Sequence, residues 1–399
     1  MSSNGKRETV ILASARTPAG KFEGELKDVR SPDLGAVAIR AAIERSGIDP
    51  AKIDEVLMGN VLPAGIGQAP ARQASIAAGI PPSICATTVN KICGSGMKTV
   101  MLADQAIRVG DGDLYIAGGM ENMYLSPYAL QGARAGYRLF DKQVVDLAVH
   151  DGLWCAFENQ HMGASADWVA DECGITRERQ DEYALASHQK AVAAIESGAF
   201  EREIEPVEVK GRKGKVTVVD TDEPPRADTD LEALGRLRPV FTEDGTVTAG
   251  NAPGLCHGAA AVVVAGSDWA EANGFKPVAR ILGHAQAAVE PKRIFLAPID
   301  AMNAVMEQTG HKIEDFDLVE LNEAFAAQTL ADGDGIPGWD WDKVNIRGGA
   351  IALGHPIGAS GARILVTLLH ALEDTGGKLG MAAACLGGGE AVAMVVELV

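Results

Sequence analysis

Two cysteines, far apart in a chain of 399 residues, each stand in a glycine-dense segment that ends an apolar run. Cys93 lies in Val89-Asn90-Lys91-Ile92-Cys93-Gly94-Ser95-Gly96-Met97, and Cys385 in Ala384-Cys385-Leu386-Gly387-Gly388-Gly389. Between them come Asn322-Glu323-Ala324-Phe325-Ala326 and a run of small residues from Gly348 to Gly361, in which His355 sits between Gly354 and Pro356. Glycine lets backbone amides approach a ligand closely. Two thiols and an imidazole are the parts for covalent acyl chemistry coupled to proton transfer. Cys93 precedes a helix expected from about Met97, whose positive end favours a thiolate. The amides of Gly387-Gly388-Gly389 suit an oxyanion hole, and the Asn322 carboxamide can hold a substrate oxygen without titrating. Taken singly, each has a plainer reading: a lone cysteine is commonly a small core residue, and one of eight histidines is usually surface or core.

The elements that must position these residues repeat along the chain. Residues 38–60 and 301–323 align so that Ala38 matches Ala301, Gly47 matches Gly310, Asp54 matches Asp317 and Val56 matches Val319. Each copy reads as a helix closed by a C-cap glycine, a polar turn and an apolar strand. Ser31-Pro32-Asp33 supplies the start of the first helix. A second correspondence pairs Gly94-Ser95-Gly96 with Ala359-Ser360-Gly361. In each case a helix follows, then a buried strand, a glycine cluster and a glutamate, Glu121 or Glu390. Strand–helix alternation predicts mostly parallel sheets covered by helices, and two copies predict two sheets. Residues 123–250 break the pattern. They are irregular and charged, with one amphipathic helix expected from Arg177 to Ile195, and read as an insertion.

The four chemical segments together resemble the thiolases, which make or break the carbon–carbon bond of a 3-oxoacyl-CoA. The resemblance covers essentially the whole chain. It implies an α/β fold of two duplicated βαβαβαββ halves in an α-β-α-β-α layering, with a loop domain inserted in the first half. Residues 1–122 with 251–275 would form the N-terminal half, 123–250 the loop domain covering CoA, and 276–399 the C-terminal half. It implies that Cys93 accepts the acyl group, that His355 keeps it deprotonated, and that Asn322 positions a water which, with His355, stabilises an enolate. Cys385 would be the base at the α-carbon, and the amides of Cys93 and Gly387 the oxyanion hole. His161, Met162, Arg226 and Ala252 match CoA- or substrate-binding segments, and Phe325 is either an acyl-pocket wall or a core residue. The implied activity is reversible condensation of two acetyl-CoA to acetoacetyl-CoA and CoA, with CoA thioesters as substrates and no cofactor or metal, in a homodimer or homotetramer. A decarboxylating 3-oxoacyl synthase and a non-catalytic scaffold are the competing readings; the Cys385 arrangement disfavours the first and the intact chemical groups the second.

Three places depart from the common thiolase pattern. Cys256 and His257 stand where Asn-Asp is usual, Arg347 replaces an asparagine, and the often glycine-rich segment after Pro291 is Arg293-Ile294-Phe295-Leu296-Ala297-Pro298. All three are expected near the pocket, where they would bear on acyl-chain preference.

The bulk numbers narrow the alternatives. A net charge of −18 argues against a nucleic-acid binder, and it obliges any site for polyanionic CoA to gather basic side chains locally. No segment reaches the roughly 20 apolar residues of a bilayer span. Six cysteines without paired spacing point to a reducing compartment. The N-terminus lacks signal-peptide architecture and the C-terminus is not a peroxisomal address, so a cytoplasmic protein is expected. There is no Gly-x-Gly-x-x-Gly after a strand and no Gly-x-Ser-x-Gly elbow. The adjacent Cys256 and His257 read as packing rather than metal ligation.

Overall fold

The computed structural model describes residues 7–399; the N-terminal segment read for targeting, residues 1–6, lies outside them. The first half contains β1 (Thr9–Arg16), α1 (Ser31–Ser46), β2 (Glu55–Gly59), α2 (Pro70–Ala77), β3 (Cys85–Val89), α3 (Ser95–Val109) and β4 (Leu114–Asn122). Residues 123–255 hold α4 (Met162–Glu172) and α5 (Arg177–Glu196), the latter one residue longer than its sequence pattern suggests. The chain returns in β5 (Cys256–Gly266) and continues through β6 (Ala279–Ala288), α6 (Ala297–Thr309), β7 (Leu318–Leu321), α7 (Ala326–Asp334), α8 (Ile357–Thr375), β8 (Leu379–Leu386) and β9 (Glu390–Leu398).

The repeat seen in the sequence is also a repeat of topology. The first half orders its strands β3-β2-β4-β5-β1 and the second β7-β8-β9-β6. In both, the pairings at the free end are parallel and the remaining ones antiparallel. The counterpart of β3 shrinks to a single parallel bridge between Val319 and Val344. Helices α1 and α6 end at Gly47 (φ 71°) and Gly310 (φ 74°), both in the left-handed region that glycine enters at least cost. Asp54 accepts the amides of Asp113 and Leu114, and Asp317 accepts those of Lys378 and Leu379, so one carboxylate in each half pins the start of the next strand. One difference from expectation stands out. The two sheets are joined edge to edge, because β1 pairs with β6 at Val10–Arg280 and Ile11–Ala279.

Three apolar clusters define the layers. Ile39 of α1 packs with Met58 and Val263 on one outer side, and Met302 and Val305 of α6 pack with Leu321 and Val395 on the other. Between the half-sheets, Met97 and Met101 of α3 meet Ile364 and Leu368 of α8. This central layer is possible because small residues face each other. A Cβ on Gly96 would stand 2.7 Å from the amide nitrogen of Ala362, and one on Gly361 2.6 Å from that of Met97. Two helices thereby cross at backbone distance near their N-terminal ends, and those ends carry Cys93 and His355.

The 123–255 segment is fastened to both halves by buried polar groups. Arg16 of β1 donates to Asp222 (2.7 Å) and Glu203. Glu323 accepts from Tyr183 (2.9 Å) and Ser187 (2.8 Å) of α5, and from Asn345 and the amide of Ile351 in the second half. Buried charges and carboxylates satisfied in this way fix one orientation of the insertion, since removing a partner leaves a costly unpaired group.

Candidate active site

The loop before α3 is held by its own side chains. Asn90 Oδ1 accepts the amide of Ile92 (3.1 Å), while Ser95 Oγ accepts the amide of Lys91 (2.8 Å) and donates to the Ile92 carbonyl (2.6 Å). Ile92 is forced to φ 44°, a left-handed conformation that a β-branched residue adopts only when its surroundings compel it. The result aims Cys93 into a cavity with the backbone amides of Cys93 itself and of Gly387 both directed at its sulfur. Here the structure corrects the expectation of a ready thiolate. Burial among apolar groups pushes the Cys93 thiol up to about 12, with Glu121 adding to the rise, and the two amides only partly oppose it. The residue rests as a thiol and needs a base.

That base is within the same lining. His355 follows Gly354, whose φ of 89° and close approach to Cys256 Sγ (2.7 Å for an added Cβ) leave room for glycine only. Ser360, on the first turn of α8, donates its hydroxyl hydrogen to the Pro356 carbonyl (3.0 Å) and lies 2.6 Å from His355 Nδ1. Nδ1 therefore carries the ring hydrogen, and Nε2, buried and without a partner among the described residues, presents a lone pair. Burial, aided by the nearby Arg363 guanidinium, pulls His355 down to about 3, so the ring is neutral at physiological pH. Sequence reasoning noted Ser360 only as half of a repeat; its spacing from His355 and its match to Ser95 were the available signal.

Cys385 stands at the end of β8, opposite Ala391 of β9, and lines the same cavity as Cys93. Burial raises its thiol well above the ordinary range, and the charge of a Cys93 thiolate would raise it further. The following turn is closed by Gly388 (φ 93°) and Gly389 (φ 87°), which turns the Gly387 amide inward. Asn322 follows β7, beside the same end of β8, its amide bonded to the Ala383 carbonyl at 2.9 Å. It is fully buried and, among the described residues, both polar atoms of its carboxamide lack a partner, an arrangement that leaves the amide free for a ligand. Asn322 is not itself in the cavity lining; Ala324 and Phe325, just beyond it, are.

The cavity is about 250 Å³ and overwhelmingly apolar. His161, Met162, Ala252 and Phe325 line it with Cys93, His355, Cys385 and Gly387. His161 caps α4, accepting the Gly163 amide on Nδ1 (3.0 Å), and stacks on Phe241 with ring centroids 4.5 Å apart. Burial lowers its pKa. Arg226 is exposed and outside this lining, on the segment whose Pro224 passes the Gly354 turn. Sequence reasoning missed Met123, Leu153, Phe241, Leu255 and Ile357, which come from irregular segments or a helix start and carried no motif.

The three departures divide. Ile294 and Phe295 line the cavity, as expected. Cys256 lies behind it, its sulfur accepting the His355 backbone amide, and His257 Nε2 meets the Phe22 carbonyl at 3.0 Å. Arg347 is not at the pocket at all: its guanidinium turns to the Ala199 carbonyl (2.8 Å), Glu203 and Asp374, within the buried charge network.

Residues 9–268 match the family described as thiolase, N-terminal domain, and residues 275–398 match thiolase, C-terminal domain. The chain is 54% identical over 392 residues to an acetyl-CoA acetyltransferase of Escherichia coli (strain K12), covering 98% of this chain and 99% of the relative. It is 50% identical over 390 residues to one of Pseudomonas aeruginosa, with the same coverage. The crystal structure of the Bacillus anthracis acetyl-CoA acetyltransferase superposes with a TM-score of 0.97 at 41% identity, covering 100% of both chains.

Proposed function

The chain belongs to the thiolase family, and from that premise we propose that it is an acetyl-CoA C-acetyltransferase working by a ping-pong path through an acetyl-cysteine. The observation that carries the reading is one apolar cavity holding two thiols, an unprotonated His355 Nε2, and two amides converging on the Cys93 sulfur.

In the first half-reaction His355 Nε2 takes the Cys93 proton, and the sulfur attacks the thioester carbon of acetyl-CoA. The oxyanion is held by the Cys93 and Gly387 amides. The intermediate collapses to acetyl-Cys93, and the departing CoA sulfur takes the proton of Cys385. A raised pKa suits Cys385 to this part, because it keeps the proton until a strong enough acceptor appears. In the second half-reaction the Cys385 thiolate removes an α-proton from a new acetyl-CoA. The enolate oxygen is stabilised by the His355 imidazolium together with a water positioned by Asn322. The carbanion attacks acetyl-Cys93, the carbon–sulfur bond breaks, and Cys93 recovers its proton from His355. Each group ends as it began. Thiolysis of a 3-oxoacyl-CoA uses the same groups in reverse.

His161, Met162, Ala252 and Phe325 would flank the pantetheine and acyl portions, and the apolar lining suits these better than the charged nucleotide. Exposed Arg226 would meet the nucleotide outside the cavity, with residues 123–250 acting as the covering domain between halves 1–122 plus 251–275 and 276–399. A homodimer or homotetramer in the cytoplasm completes the reading. Its support is the set of exposed apolar side chains Tyr128, Leu130, Leu139 and Phe140 on the segment after β4, and, among the described residues, no helix long and apolar enough to cross a membrane.

Brief exposure to acetyl-CoA should add the mass of one acetyl group to the intact protein, and peptide mapping should place it on Cys93. No adduct, or an adduct on Cys385, would overturn the assignment. Ser360→Ala should lower kcat roughly tenfold, the equivalent of one hydrogen bond of about 1–1.5 kcal/mol, because Nδ1 and Nε2 then compete for the ring hydrogen. KM should change little. An unaltered kcat would show that the Ser360 contact does not govern the tautomer.

A further inference from the structure

Resting on that reading of the reaction, we propose that Lys91 and Glu390 form a positioning pair that holds the two oxyanion-hole amides in register. Those amides come from different halves of the chain. The Cys93 amide belongs to the loop before α3, and the Gly387 amide to the turn between β8 and β9. Each loop is stiffened from its own side. Ser95 Oγ accepts the Lys91 amide and the Lys91 carbonyl accepts that of Gly94 (3.1 Å), while the Gly389 carbonyl accepts the amide of Val289 (2.7 Å). None of these bonds joins one loop to the other.

Across the gap the packing is close but apolar. A Cβ on Gly387 would stand 3.3 Å from Ile92 Cγ2, and one on Gly94 2.5 Å from Leu386 Cδ2. Such contact is non-directional: it sets how near the loops lie, not how they slide past each other. Ile92, at φ 44°, is strained and keeps that conformation only while its surroundings over-determine it. Apart from the Gly387 amide aimed at the Cys93 sulfur, which the reaction needs free, one hydrogen bond crosses between the loops among the described residues. It runs from Lys91 Nζ to the Glu390 carboxylate, in a partly exposed ion pair. Lys91 stands two residues before Cys93 and Glu390 three after Gly387, so the pair closes a ring around both amides. The internal repeat carries the same device in reverse. Glu121, the counterpart of Glu390, reaches from the first half to accept the Gly358 amide at 3.0 Å, three residues past His355. Each half's glutamate thereby holds the other half's catalytic loop.

The test uses thiolysis of acetoacetyl-CoA by the full-length protein. Ion pairs this exposed add little to stability, so the variants should keep the wild-type melting temperature. An oxyanion hole tolerates little displacement, so a loosened loop should be felt in the transition state. Lys91→Met and Glu390→Gln should each lower kcat about fivefold to tenfold while KM stays within about twofold, the mark of an interaction lost from the transition state alone. The double variant should be no slower than the slower single, because the same bond is missing from all three. Lys91→Arg keeps the charge and the donor and should stay near wild type; charge reversal is avoided because Lys98 also lies close to Glu390. A kcat within about twofold of wild type in both single variants would overturn the proposal while leaving the reaction intact. So would losses that multiply in the double variant, or a Lys91→Arg enzyme as slow as Lys91→Met. A wild type that forms no acetyl-Cys93 would instead remove the reading of the reaction, and this inference with it.

Discussion

Cys93→Ala should abolish acetyl-enzyme formation and lower turnover on the order of 10⁴-fold or more, the scale on which removal of a covalent nucleophile is felt. The expectation follows from what surrounds the sulfur. Two amides point at it, and they are oriented by structure that does not depend on the thiol: the Asn90 and Ser95 clamps on the loop and the glycine turn after β8. Alanine leaves that scaffold intact, so the variant should fold with a melting temperature close to wild type and still bind CoA. It simply offers nothing to acylate. The thiol could not be supplied from elsewhere, since Cys385 lies among Phe295, Phe325 and Ile294 rather than under the converging amides. Intact mass after exposure to acetyl-CoA reads the outcome directly. If Cys93→Ala still gains one acetyl group at the wild-type rate, the nucleophile is another residue and both half-reactions must be reassigned.

Much of this arrangement could be read along the chain because it is written in local signals. Gly47 and Gly310 each close a helix, Asp54 and Asp317 each open the next strand, and those residues repeat at a constant spacing. The glycines around Cys93, His355 and Cys385 are likewise local demands for close approach and positive φ. Three things were hidden for a physical reason: they depend on what other parts of the chain bring to the same place. The protonation of Cys93 is decided by the apolar groups gathered around it, and burial outweighs the helix end that the sequence offers. Arg347 adjoins Gly348 in sequence yet turns its side chain away to Glu203 and Asp374, so chain proximity to the His355 loop did not mean proximity to the cavity. Phe241 became a wall only when the insertion and the second half met around Phe325.

The two cysteines are chemically alike and line one cavity, so separating their roles requires a variant in which one half-reaction survives. Cys385→Ala should do this. Acetyl should still accumulate on Cys93, because the attacking sulfur, the His355 lone pair and the oxyanion amides are all retained. Accumulation should be slower than in wild type, since the departing CoA sulfur loses its nearby proton donor. Condensation should fall about 10³- to 10⁴-fold, the upper part of the range for loss of a positioned general base. The decisive measurement is exchange of the acetyl-CoA methyl protons with deuterated solvent. Wild type should catalyse it through Cys385, and the variant should not, whatever the state of Cys93. Truncating one buried sulfur should cost only about 1 kcal/mol of stability, so lost exchange in a folded, acetylated protein isolates the missing base. Persistent exchange in Cys385→Ala would move the α-proton to another acceptor, with His355 Nε2 the remaining unpartnered base of the lining.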